Sequence, residues 1–181
     1  MFKIWDNYAG WKVLEFFLKN PTKTFYLRQA AKEIGVSNLT ASTYLEAYAK
    51  EGILNREKRA HMLEFSLNES NLLPNLLKKS YALYIARENS VVEKILKAAP
   101  YAMTICIYGS YANGEYDERS DFDILIISPR EEKGIKISLG NNLQASVLCL
   151  SLDGWRKAGN EFKSSVLKSN ALLFGSGLVK I

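Results

Sequence analysis

The chain has 181 residues, 48% of them apolar and 24% charged, with a formal net charge of +5. That length suits one ordinary domain or two small ones, and the balance of apolar and charged residues excludes a disordered chain. No apolar run approaches the roughly 20 residues of a membrane span, and "MFKIWDNYAGWK" lacks the continuous apolar core of a secretion signal, so the expectation is a cytoplasmic protein with no membrane partner.

The charge is uneven. Met1 to Ala99 carries 15 Lys and Arg against 10 Asp and Glu, whereas Pro100 to Ile181 carries 9 against 9. The excess lies wholly in the first half, which suggests two jobs on one chain. Cys106 and Cys149 sit singly in apolar runs and read as reduced core residues rather than as a disulfide or a metal pair.

In chain order, Trp5 to Leu18 has the apolar content of a helix, stopped by "KNPTK". "FYLRQAAKEIGVSNLTASTYLEAYAKEGIL" predicts a helix over 27–34, a turn at Gly35 and a second helix from Asn38 to Glu51, with Ser37 as N-cap and Gly52 as the stop. This is helix-turn-helix spacing. Ala30, Ala31, Ile34 and Val36 are expected to face Leu39, Tyr44, Leu45 and Tyr48, leaving Asn38, Thr40, Ser42 and Thr43 as small polar residues suited to groove edges and phosphates. Two short strands, 53–56 and 62–67, then flank the basic tip "REKRAH" as a wing.

Over roughly 5–68 the chain resembles the winged helix-turn-helix family of DNA-binding domains. The resemblance implies a recognition helix holding Asn38, Thr40, Ser42 and Thr43, and a wing whose Arg56, Lys58 and Arg59 reach DNA phosphates or the minor groove. A winged helix used only for protein contact is the plainer alternative. The only histidine, His61, leaves no histidine metal cluster.

From Leu72 to Ala99 the pattern is helical, with a break or fresh cap at Asn89-Ser90. Its apolar stripe (Leu76, Leu77, Tyr81, Leu83, Tyr84, Val91, Val92, Ile95, Leu96) reads as packing surface for the flanking modules, with a homodimer seam as the sharper alternative. Strands are expected at 101–108, 122–127 and 143–150, then one or two helices capped by Ser151, then a short strand in "ALLFGSG". Together these give an α+β fold: a winged helix-turn-helix over 1–70, a helical connector over 71–99, and an α/β domain with a mixed sheet over 100–181.

The chemistry concentrates in "IYGSYANGEYDERSDFDILII". On a strand, residues two apart share a face, so Asp121 and Asp123 project together while Phe122 and Ile124 pack behind. Adjacent carboxylates attract a divalent cation, and oxygen ligands without histidine or thiolate favour Mg²⁺ or Mn²⁺ over zinc. Gly109 permits close backbone approach, and Ser110 offers a hydroxyl and an N–H at the start of a short helical turn, donors suited to phosphate. These parts make a nucleoside triphosphate site arranged for in-line nucleotidyl transfer.

An apolar strand, Gly-Ser, about ten residues and Asp-apolar-Asp-apolar closely resemble the minimal nucleotidyltransferase family related to the DNA polymerase β palm and kanamycin nucleotidyltransferase. The likeness extends to "EFKSSVLKSNALLFGSG" as closing helix and strand. It implies that Gly109 and Ser110 bind the nucleotide phosphates, that Asp121 and Asp123 are the catalytic metal ligands, and that Ser120 supports the turn before them. Active members carry a third carboxylate on the next long strand, which helps deprotonate the attacking hydroxyl. Here "NLQASVLCLS" offers Gln144 or Ser146, and neither is such a base. Three readings follow: an enzyme transferring a nucleoside monophosphate to an acceptor hydroxyl; a transcription regulator whose domain senses nucleotide; and a relative of the nucleotidyltransferase antitoxins that modify a partner toxin.

Overall fold

The structure, a computed structural model, describes residues 7–140 and 143–178, and the chain divides into two compact units, Met1–Leu77 and Lys78–Ile181. Among the described residues no helix is long and apolar enough to cross a membrane.

In the first unit, α1 (Ala9–Lys19) is followed by β1 (Thr24–Tyr26), α2 (Leu27–Ile34), α3 (Asn38–Lys50) and the hairpin of β2 (Leu54–Arg59) and β3 (Met62–Leu67). The antiparallel sheet has the order β1-β3-β2. This is the topology of a winged helix-turn-helix. Gly35 ends α2 at φ +77°, a conformation that glycine adopts without Cβ strain. Ser37 caps α3, its Oγ accepting from the Thr40 amide at 3.0 Å. Val13, Phe17, Leu18, Ala30, Ala41, Leu45 and Phe65 form the buried interior.

Three expectations change. β1 went unread because only three residues separate "KNPTK" from α2, too few for an alternation to register. The expected first wing strand is shorter than β2, which runs through Arg59 and leaves only Ala60 and His61 at the turn. Leu39 does not face α2: it is 79% exposed, because the inward positions of α3 are Ala41 and Leu45. The start of the first predicted helix, Trp5, lies outside the described residues.

The second unit begins within α4 (Leu72–Glu88) and continues through α5 (Val91–Ala98), β4 (Thr104–Tyr108), α6 (Gly109–Asn113), β5 (Phe122–Ser128), β6 (Ala145–Ser151), α7 (Leu152–Lys157), α8 (Asn160–Lys168) and β7 (Asn170–Gly175). The helical stretch breaks at Asn89-Ser90, where Ser90 takes φ +49°. Of the expected apolar stripe on α4, Tyr81 is buried but Leu76 and Leu83 are exposed, and the small residues Ala82 and Ala86 turn inward instead.

The mixed sheet has the order β6-β5-β4-β7, with β4 antiparallel to both neighbours and β5 parallel to β6. Ile105, Cys106, Ile107 and Ile124 to Ile127 are fully buried, so the two central strands read as continuous apolar runs rather than alternations. Cys106, Leu125 and Ile127 pack in one cluster with Trp155 of α7 and Val166 of α8. Burial pushes the Cys106 thiol up to about 12, an inert core thiol. Ser151 caps α7, its Oγ accepting from the Gly154 amide at 2.9 Å.

Candidate nucleotide site

β4 and β5 bring the two halves of the motif together. β4 ends at Tyr108, and the chain turns at once into the short helix α6 through Gly109, whose φ of +71° is strained for any residue with a Cβ. Space gives a second, independent reason for glycine. A Cβ at position 109 would lie 2.7 Å from Asp123 Oδ2. The Gly109 backbone therefore lies close beside one carboxylate of the acid pair.

Asp123 is the second residue of β5 and Asp121 immediately precedes the strand, on the same face by its alternation. Phe122 and Ile124 point the other way and are fully buried. Asp123 is half-buried, and its carboxyl is held above the ordinary range, first by burial and then by the negative charge of Asp121, with a hydrogen bond from the Ser146 side chain acting in the opposite direction. Asp121 is exposed. In the parallel register Asp123 lies opposite Ser146. Gln144 precedes β6, its main-chain carbonyl accepting from Phe122 N at 2.8 Å. No residue of β6 is acidic.

The loop between α6 and β5 is fixed by its own polar groups. Asp117 Oδ1 accepts from Arg119 N at 2.9 Å and from Ser120 Oγ at 3.0 Å, while Ser120 Oγ accepts from Asp117 N at 3.0 Å. These bonds, the Arg119 amide first, hold the Asp117 carboxyl below its usual value. Ser120 thus braces the turn that presents the acid pair. Below the loop, Tyr111 of α6 stacks on Tyr116 at 4.0 Å with the rings 5° from parallel, Tyr111 also meets Phe122 at 5.0 Å, and the Lys78 ammonium lies 4.7 Å above the Tyr116 ring. The sequence reading missed this aromatic support. Its signal was the pair of tyrosines bracketing Gly114, which turns the chain at φ +75° between them.

Among the described residues no group of three or more His, Cys, Asp or Glu side chains is placed to hold a metal ion. The donors present at the site are two carboxylates and the Ser146 hydroxyl. That set fits one Mg²⁺ or Mn²⁺ shared with phosphate oxygens and water, since Mg²⁺ is commonly held by one or two carboxylates plus substrate phosphates.

In the first unit, Asn38 and Thr43 are exposed on α3, whereas Thr40 and Ser42 are half-buried. Thr43 Oγ1 donates to the Leu39 carbonyl at 2.9 Å, and Thr40 Oγ1 lies 2.8 Å from Ser37 Oγ, so both hydroxyls already have partners within the helix. Arg56, Lys58 and Arg59 are all exposed along β2. Arg56 Nε donates to Glu46 Oε1 of α3 at 2.9 Å, and Arg59 Nη1 lies 3.7 Å from Glu64 Oε1.

Residues 89–168, the stretch that holds the Gly-Ser turn and the acid pair, match the family model of the nucleotidyltransferase domain. No curated protein matches the chain. Among solved structures, the chain is similar to a mutant of the MntA-HpeT toxin–antitoxin (22% identity, 49% of this chain and 72% of that one, TM-score 0.37). It is also similar to a toxin–antitoxin with AMP-PNP (21% identity, 49% and 73%, TM-score 0.37) and to a possible transcriptional regulator from Methanosarcina mazei Go1 (16% identity, 51% and 82%, TM-score 0.34). With TM-scores this low, the fold rests on the chain's own topology.

Proposed function

We propose that the second unit binds a nucleoside triphosphate with Mg²⁺ between Gly109-Ser110 and the Asp121/Asp123 pair and transfers the nucleoside monophosphate to an acceptor hydroxyl, while the first unit binds DNA. The observation that carries this reading is the closeness of the glycine backbone to the Asp123 carboxylate, with room for a Cβ denied. Phosphates brought to a backbone beside the Asp123 carboxylate would be repelled by that carboxylate unless a cation offset its charge. Asp121 and Asp123 would hold that cation, and Gly109 and Ser110 would supply donors to the phosphate oxygens. Bound there, the cation would neutralise charge on the phosphates as the acceptor oxygen bonds to the α-phosphorus and pyrophosphate leaves.

A second reading is favoured by Ser146. Where an active site would carry a third carboxylate, this chain places the Ser146 hydroxyl opposite Asp123. A hydroxyl cannot take the acceptor's proton at neutral pH, so the domain would bind nucleotide without turnover and serve as the sensor of a regulator. DNA binding, common to both readings, is supported by the basic face of β2 and the charge excess of the first half. Incubation with α-labelled NTP, Mg²⁺ and cell lysate separates the two. Label moved to an acceptor by wild type but by neither Asp121→Asn nor Asp123→Asn supports the enzyme; nucleotide binding without transfer supports the sensor.

A further inference from the structure

The outer face of α3 follows the helical spacing Leu39, Thr43, Glu46 and Lys50. Along it the polar groups nearest the N-terminus are already engaged: the Thr43 hydroxyl donates to a backbone carbonyl, and Glu46 accepts from Arg56. What protrudes is Leu39, 79% exposed, one residue after the exposed Asn38. Leu39 is not a core residue displaced by poor packing, because Ala41 and Leu45 fill the inward positions completely. It stands in the first turn of the second helix of a helix-turn-helix, the part of such a helix that meets base edges. The exposed cations Arg56, Lys58 and Arg59 on the wing add positive charge suited to phosphate, Arg56 sharing its charge with Glu46 of α3 and Arg59 lying 3.7 Å from Glu64.

We infer that α3 reads a thymine in the DNA major groove through Leu39, with Asn38 addressing an adenine beside it. The thymine C5-methyl is the apolar group on the major-groove edge, and an aliphatic side chain with no donor or acceptor can discriminate only by packing on it. Asparagine is the side chain whose amide matches adenine N6 and N7. The inference rests on the DNA-binding reading and adds to it the kind of base pair recognised and the residue that selects it. It also reassigns the reading role: Thr40 is tied to the N-cap Ser37 and Thr43 to the Leu39 carbonyl, and Leu39 and Asn38 touch bases.

The test uses the full chain. Double-stranded oligonucleotides are enriched from a randomised pool by wild type, and each thymine of the enriched sequence is then replaced by deoxyuridine, which removes only the methyl group. Wild type should lose about fourfold in affinity at one thymine, the worth of a buried methyl, and Leu39→Ala should bind thymine and uracil DNA equally. Asn38→Ala should lose about tenfold or more at the adjoining adenine. Because Leu39 is exposed, an unchanged melting temperature will show that the variant folds. Salt-sensitive binding indifferent to uracil at every position would overturn thymine readout while leaving DNA binding intact. Absence of any DNA binding would overturn both. Dissociation of an oligomer by Leu39→Ala, with DNA affinity unchanged, would make Leu39 a protein contact and overturn the inference.

Discussion

Gly109→Ala tests the geometry on which the nucleotide site depends, and Gly134→Ala supplies the control. Both glycines lie at positive φ, +71° and +73°, but a Cβ at Gly134 meets nothing within 4 Å, whereas at Gly109 it would stand 2.7 Å from Asp123 Oδ2. The conformational penalty of an L-residue in the left-handed region is roughly 1–2 kcal/mol and applies to both. Only Gly109→Ala adds the cost of displacing a half-buried carboxylate, about 1 kcal/mol more. Thermal unfolding of the second unit should therefore show Gly109→Ala as the less stable variant, by about 1 kcal/mol relative to Gly134→Ala. Nucleotide binding should separate them further, with Gly134→Ala retaining Mg²⁺-dependent ATP affinity and Gly109→Ala losing it. Equal stability and equal ATP affinity in the two variants would refute the close approach of the Gly109 backbone to Asp123.

Ser146→Asp should place a third carboxylate opposite Asp123 and increase label transfer from α-labelled NTP if the domain is a slowed enzyme; no increase would show that the third acid is not limiting. Burial and the charge of Asp121 hold the Asp123 carboxyl above its usual range, so Mg²⁺-dependent nucleotide binding should weaken on acidification before an ordinary aspartate would titrate. Without Mg²⁺ the sign reverses for stability: the native state takes up the proton more readily than the unfolded chain, so wild type should gain stability as pH falls through that raised value, and Asp123→Asn should abolish the gain. Replacing Arg56, Lys58 and Arg59 together by Ala should weaken DNA binding by about 1–3 kcal/mol and flatten its salt dependence, measured by fluorescence anisotropy. Unchanged binding would remove the wing from the interface.

Much of the fold was legible because its signals are local. Gly35, Ser37 and Ser151 act through backbone conformation and capping, and each sits where the sequence pattern puts a helix end. The buried strands β4 and β5 announce themselves as apolar runs. Less was legible where packing decides. Leu39 reads as apolar and hence inward, but whether a leucine at a given helix position turns inward depends on the phase of the whole helix, set here by Ala41 and Leu45. At the candidate site, the Gly-Ser and Asp-Phe-Asp elements could be placed on a turn and a strand from sequence, whereas the pairing of Ser146 with Asp123 required the register of β6 against β5, a property of two distant segments. The Lys78 ammonium above the Tyr116 ring is equally nonlocal, whereas the Tyr111–Tyr116 stack closes over a single turn at Gly114.

The most direct test of the nucleotide site is a calorimetric titration of the full chain with ATP, with and without Mg²⁺, repeated on Asp123→Asn, which removes one anionic ligand while keeping the side chain's shape. Wild type should bind ATP in Mg²⁺ and lose that binding in EDTA, and Asp123→Asn should bind weakly under both conditions. ATP binding that survives EDTA, or that Asp123→Asn leaves unchanged, would contradict the assignment of the acid pair as the cation's ligands.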